Sequence, residues 1–134
     1  MVLSGTGDLA YAPPVPDRDS SYDPECLFCK IAAGEIPSDR VHEDHQVVVF
    51  HDINPRAPTH LLVISRRHIP SADDLTDADG DLLAALFGAL RKVAADAGLR
   101  GYRVVTNVGP ESGQSVFHLH FHLLGGRPMS WPPG

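Results

Sequence analysis

The chain has 134 residues, 43% hydrophobic and 21% charged, with a formal net charge of -6, a size that suits one compact domain and is short for two. Neither a disordered nor a fibrous chain is indicated. The negative balance argues against a general nucleic-acid binder, which needs cationic surface to displace counterions from phosphates, so any phosphate-bearing ligand must be small and locally held.

In chain order, residues 1–23 mix Gly, Ser and Asp with Pro13, Pro14 and Pro16 and show no hydrophobic period. They are expected to form a flexible N-terminal arm, followed by one domain over 24–134. The start lacks the basic and apolar regions of a signal peptide, and no apolar run is long enough to span a bilayer. The expectation is a cytoplasmic protein without a membrane partner. Leu27, Phe28 and Ile31 fall at one-turn spacing within 26–33, with Gly34 and Pro37 beyond, which predicts a short helix carrying Cys26 and Cys29 on one face. The two residues between these cysteines are metal or redox spacing rather than a secreted disulfide framework.

Three apolar runs follow, a short one at Val41, then Val47 to Phe50 and Leu61 to Ile64, separated by polar and proline-bearing stretches that predict antiparallel strands. From Thr76 the period changes. Leu82, Leu83, Leu86, Leu90 and Val93 form one stripe, acidic residues crowd the first turn, and Gly98 can end a long helix. Two further strands, Tyr102 to Asn107 and Val116 to Leu124, flank a glycine-containing loop. The expected fold is α+β, a five-stranded antiparallel sheet with one long and one short helix.

Eight histidines are many for this length, and three fall in His118-Leu119-His120-Phe121-His122. On a strand these three share a face, about 6.6 Å apart in sequence and about 13 Å between the outer pair, which is too far for all three to ligate one metal. A division of labour follows, in which one ring attacks and others orient, protonate or bind metal. Satisfied polar positions on a half-buried strand are the plain alternative. In the preceding loop, Gly113 lets backbone N–H groups approach an anion and Ser115 adds a hydroxyl, with Gln114 between them.

The alternating run His118 to Leu124 resembles the motif of the histidine-triad (HIT) family. The likeness extends over Phe50-His51-Asp52-Ile53-Asn54-Pro55, Pro58-Thr59-His60, Asn107, Gly113-Gln114-Ser115-Val116 and the ending Gly125 to Gly134, which is similar to the Hint branch, the purine nucleoside phosphoramidases. The resemblance implies a hydrolase in which His120 attacks the α-phosphorus of a nucleotide and forms a nucleotidyl-histidine that water cleaves. His122 would contact the phosphate, Ser115 would lie near the leaving group with the N–H groups of Gly113 to Ser115 balancing charge, and His60 joins the catalytic set. Asp52 would hold the ribose hydroxyls, Phe50, Ile53 and Ile36 the base, and Asn107 the sugar or phosphate. No magnesium is implied.

The same resemblance assigns His68 and His118 as partners of Cys26 and Cys29 in a closed, structural Cys₂His₂ zinc site, with two buried reduced thiols as the alternative. It also implies a homodimer, with the tail around Trp131 near the partner's active site. Two other functions fit the motifs: a slow or inactive purine-nucleotide-binding regulatory or scaffold protein, and a dinucleoside polyphosphate hydrolase.

Overall fold

The computed structural model describes residues 19–134, so most of the expected arm lies outside the described residues. Five strands, β1 (Arg40–Glu43), β2 (Val47–His51), β3 (Thr59–Ser65), β4 (Tyr102–Val105) and β5 (His120–Gly125), form one antiparallel sheet of order β1-β2-β3-β5-β4. The helices are α1 (Leu27–Ala32) and α2 (Gly80–Asp96).

The central strands explain their own sequences. Both faces of β2 and β3 are covered, so Val47 to Phe50 and Leu61 to Ile64 are buried without alternation, as a doubly covered strand requires. On one face Val47, Val49, Leu61, Val63, Leu119, Phe121 and Leu123 pack against Leu82, Leu86, Leu90 and Val93 of α2. On the other, Val48, Phe50, Leu62 and Ile64 meet Cys26, Phe28, Cys29 and Ile31. Each such aliphatic side chain contributes about 1.5–3 kcal/mol by leaving water.

The long helix begins later than its first signal. Thr76 and Asp79 form a capping box around a short 3₁₀ turn, and α2 proper starts at Gly80. Arg67 pairs with Asp79 and holds its carboxyl below the usual range. At the far end Gly98 takes φ of 70°, while Leu99 N–H donates to Ala94 O and Gly98 N–H to Ala95 O, a Schellman stop that glycine makes without strain.

Two strands are shorter than their sequence patterns. β4 ends at Val105 rather than Asn107, where Thr106 Oγ1 donates to the His120 carbonyl. β5 starts at His120 rather than Val116. Ahead of it the side chains still alternate, with His118 and Leu119 both buried, but Leu119 N–H donates at 2.6 Å to Ile69 O, a loop carbonyl beyond the end of β3. Alternation fixes faces; it does not fix ladder partners.

Candidate active site and metal cluster

The α1-covered face of the sheet opens into a cavity of about 710 Å³, within the range that encloses a nucleotide-sized ligand. Register builds its polar end. On neighbouring strands Leu62 pairs with His122, Ile64 with His120 and His60 with Leu124, so β3 and β5 turn His60, His120 and His122 to one side. An apolar wall of Leu27, Phe28, Ile31, Ile36 and Phe50 faces them, and Asp52, Ile53, Asn107, Gly113 and Ser115 complete the lining.

Hydrogen bonds assign the ring protons. His120 Nδ1 lies 2.6 Å from the His118 carbonyl. A carbonyl only accepts, so Nδ1 carries the proton and Nε2 keeps a free lone pair. His60 Nδ1 accepts from Arg56 N–H at 2.9 Å, which puts its proton on Nε2, 2.9 Å from His122 Nδ1 and 3.3 Å from Asp52 Oδ2. His122 Nδ1 is then an acceptor and its Nε2–H a donor. Asp52 Oδ1 accepts from Asn54 N–H at 2.8 Å, which fixes the carboxylate.

Burial holds these rings neutral. It lowers the His120 pKa and pulls His122 down to about 4, where His120 and His60 add repulsion. Burial likewise lowers His60, against the pull of Asp52. An uncharged imidazole with one bare nitrogen is a nucleophile at neutral pH, and the Asp52–His60–His122 chain ends in a donor fit for an anionic oxygen. Asp52, His60 and His122 are close enough together to suggest a cation. The Arg56 N–H on His60 Nδ1 argues against it, because His60 Nε2 then holds a proton rather than a lone pair.

A second cluster lies beside the cavity. Cys26 Sγ is 3.3 Å from His118 Nδ1, and Cys29 Sγ is 3.3 Å from His68 Nδ1 and 3.6 Å from His118 Nδ1. The two Nδ1 atoms are 3.3 Å apart. Tetrahedral geometry at bond lengths of about 2.05 Å to nitrogen and about 2.3 Å to sulfur demands about 3.3 Å between nitrogens and about 3.6 Å between nitrogen and sulfur. The four donors therefore fit one tetrahedral ion. His118 Nε2 donates to Ser65 O at 2.6 Å, leaving Nδ1 bare toward the cluster, the outer hydrogen bond that orients a ligating histidine. Burial pushes the Cys29 thiol up to about 12, so a bound cation is what would make it a thiolate.

Residues 19–23, within the stretch expected to be an arm, pack on this cluster. Ser21 Oγ accepts from His68 N–H at 2.7 Å and donates to Asp19, and Asp23 N–H points at Cys29 Sγ.

The structure thus brings Phe50, Asp52, Ile53, His60, Asn107, Gly113, Ser115, His120 and His122 to one cavity, and Cys26, Cys29, His68 and His118 to the adjacent cluster. Gln114 is the one expected binding residue whose side chain is not brought to the cavity. It is buried outside the lining, its side chain bonded to Pro70 O, Val116 O and Gly109 N–H. The loop also uses its own N–H groups, Gly113 to Pro110 O and Gln114 to Gly109 O, so among the described residues Ser115 carries what the loop offers an anion. Sequence reasoning missed the α1 wall and the Arg56 contact. No sequence signal separates this wall from core: Leu27, 45% exposed in the fold, shares the one-turn spacing of Phe28 and Ile31.

Comparison with known proteins places these features in company. A family model described as scavenger mRNA decapping enzyme C-term binding matches residues 25–131. An uncharacterized HIT-like protein of Synechocystis is 47% identical over 82% of this chain and 97% of its own. The 14 kDa zinc-binding protein of Zea mays is 47% identical over 84% and 90%. Among solved structures, a HIT family hydrolase from Legionella pneumophila is 53% identical with a TM-score of 0.81, covering 82% of this chain and all (100%) of that one. A histidine triad nucleotide-binding protein from Candida albicans is 33% identical with a TM-score of 0.70, covering 81% and 83%.

Proposed function

The chain belongs to the histidine-triad (HIT) family, and from that premise we propose that it hydrolyses purine nucleoside 5′-phosphoramidates or related nucleotidyl conjugates through a covalent intermediate on His120. The observation that carries the reading is the proton placement on His120. Its Nδ1–H is bound to the His118 carbonyl, and burial keeps the ring uncharged with Nε2 bare.

In this mechanism Nε2 attacks the α-phosphorus, the P–N bond to the amine breaks and the amine leaves with a proton taken from solvent. Water then cleaves the phosphorus–His120 bond, releasing nucleoside monophosphate, restoring the neutral imidazole and returning a proton to solvent. His122 Nε2–H contacts a phosphate oxygen, Ser115 stands near the leaving group, and Asp52 accepts from the ribose hydroxyls. The apolar wall of Phe28, Ile31 and Phe50 takes the base. The Cys₂His₂ cluster holds zinc in a closed, structural role, a reading supported by its tetrahedral spacing and by the name of the maize relative. The unit in solution is a homodimer, consistent with Trp131 being 81% exposed on the protomer.

The test is to quench the protein during turnover of a slow-leaving adenosine phosphoramidate and map the adduct by mass spectrometry. A nucleoside monophosphate on the peptide containing His120 is expected. The same adduct on another residue, or phosphoramidate left intact by folded protein, overturns the proposal.

A further inference from the structure

The cluster and the cavity are not merely adjacent; they share parts. The segment Cys26 to Cys29 supplies two sulfur donors from its first and last residues, while Leu27 and Phe28 between them line the cavity. The Phe28 ring meets His118 edge-on at 6.0 Å and His120 at 5.0 Å. His118 is shared in another way. Its imidazole faces the cluster, and its own carbonyl receives the His120 Nδ1–H. Phe28 and His118 thus each link the cluster to the nucleophile through a single residue.

α1 has six residues, too short to be stable except through what it packs on. Its N-cap is the Cys26 sulfur, which accepts from Cys29 N–H at 3.3 Å, so the cap atom and the metal donor are the same atom. An ion at the cluster fixes the first turn of α1 and the His118 backbone together. A base lying on Phe28 and Ile31 restrains the same turn from the cavity side.

We propose that metal binding at Cys26, Cys29, His68 and His118 and nucleotide binding in the cavity are thermodynamically coupled, with Phe28 and His118 as the positioning residues that carry the coupling. The inference rests on the nucleotide and zinc readings above and adds a relation neither contains. Coupling between sites is reciprocal. The ion tightens nucleotide binding, and the nucleotide tightens ion binding by the same factor. Two sites joined through single residues fall in the usual range of about fivefold or more.

The experiment uses full-length protein loaded with zinc. The zinc dissociation constant is measured by equilibrium competition with a chromogenic chelator, with and without saturating adenosine 5′-monophosphate, and the nucleotide dissociation constant is measured by calorimetry on zinc-loaded and zinc-stripped protein. Zinc binding tightened at least fivefold by the nucleotide supports the proposal, as does a nucleotide dissociation constant at least fivefold weaker without zinc. Equal zinc affinities in protein that calorimetry shows to be nucleotide-saturated overturn the coupling and leave the proposed function standing. Absence of nucleotide binding by zinc-loaded protein overturns both, and the calorimetry alone identifies that outcome. If stripped protein unfolds, Phe28→Ala decides: at saturating nucleotide, loss of the nucleotide's effect on zinc affinity supports the proposal, and an unchanged effect overturns it.

Discussion

His120→Ala separates chemistry from folding because the two effects differ so much in size. The substitution removes a ring that is 7% exposed, its bond to the His118 carbonyl at 2.6 Å and an edge contact with Phe28. An orphaned buried carbonyl costs about 1–3 kcal/mol, and opening the ring's space onto an existing cavity keeps the cost near the lower end. At about 4 °C per kcal/mol for a domain of this length, the melting temperature falls by about 4–6 °C. A domain with about 5–15 kcal/mol of stability remains more than 99% folded at 25 °C after that loss. Loss of a covalent nucleophile, by contrast, lowers kcat by about 10⁴-fold or more, or about 5 kcal/mol of barrier. The assay pairs amine release from an adenosine phosphoramidate with calorimetric binding of adenosine 5′-monophosphate. Turnover within tenfold of the parent in protein that melts cooperatively and still binds the nucleotide refutes the assignment of His120.

The other expectations follow from the same geometry. Protein purified without chelator should contain about one zinc per chain by elemental analysis, and Cys26→Ser with Cys29→Ser should lower the melting temperature by more than any single cavity substitution; zinc-free protein with parental stability removes the metal reading. His122 is held at about 4 in the fold against an ordinary 6.5, so between those values the unfolded chain binds a proton that the folded one does not. Stability from this group is complete above about pH 6.5 and is lost as pH falls toward 4, by at most about 1.4 kcal/mol per pH unit. His122→Asn should flatten that acid limb in denaturant titrations, and an unchanged slope contradicts the assignment. Sedimentation should give a dimer at micromolar concentration, and deleting residues 129–134 should alter kcat/KM across a phosphoramidate panel. A monomer, or a truncated protein matching the parent on every substrate, rules out a role for the tail.

What could be read from the sequence was whatever depends on period and residue type. The stripe from Leu82 to Val93 specified α2, and the two-residue alternation at His118, His120 and His122 specified which side those rings face. What escaped depends on partners distant in the chain. Nothing local to Val116 says that Leu119 will bond to Ile69 O and delay the start of β5. Gln114 reads as a ligand contact beside Ser115, yet its amide ties the loop to Pro70, 44 residues away. Leu27 and Phe28 read as core because helix period cannot distinguish a wall facing a cavity from one facing side chains. The ring tautomers were equally hidden, since they follow from Arg56 N–H and the His118 carbonyl rather than from the histidines themselves.

The position of β5 between β3 and β4 has a kinetic consequence. β3 pairs with β5 only across α2 and β4, with His60 opposite Leu124 and Ile64 opposite His120. β1, β2 and β3 can form a meander from local turns, but the strand bearing His120 and His122 closes the longest-range strand pairing in the sheet, and such non-local pairings are slow to form. Catalytic competence should therefore return late in refolding, after the far-ultraviolet signal of α2, and amide protection on β5 should appear with the last exchange-protected set rather than the first.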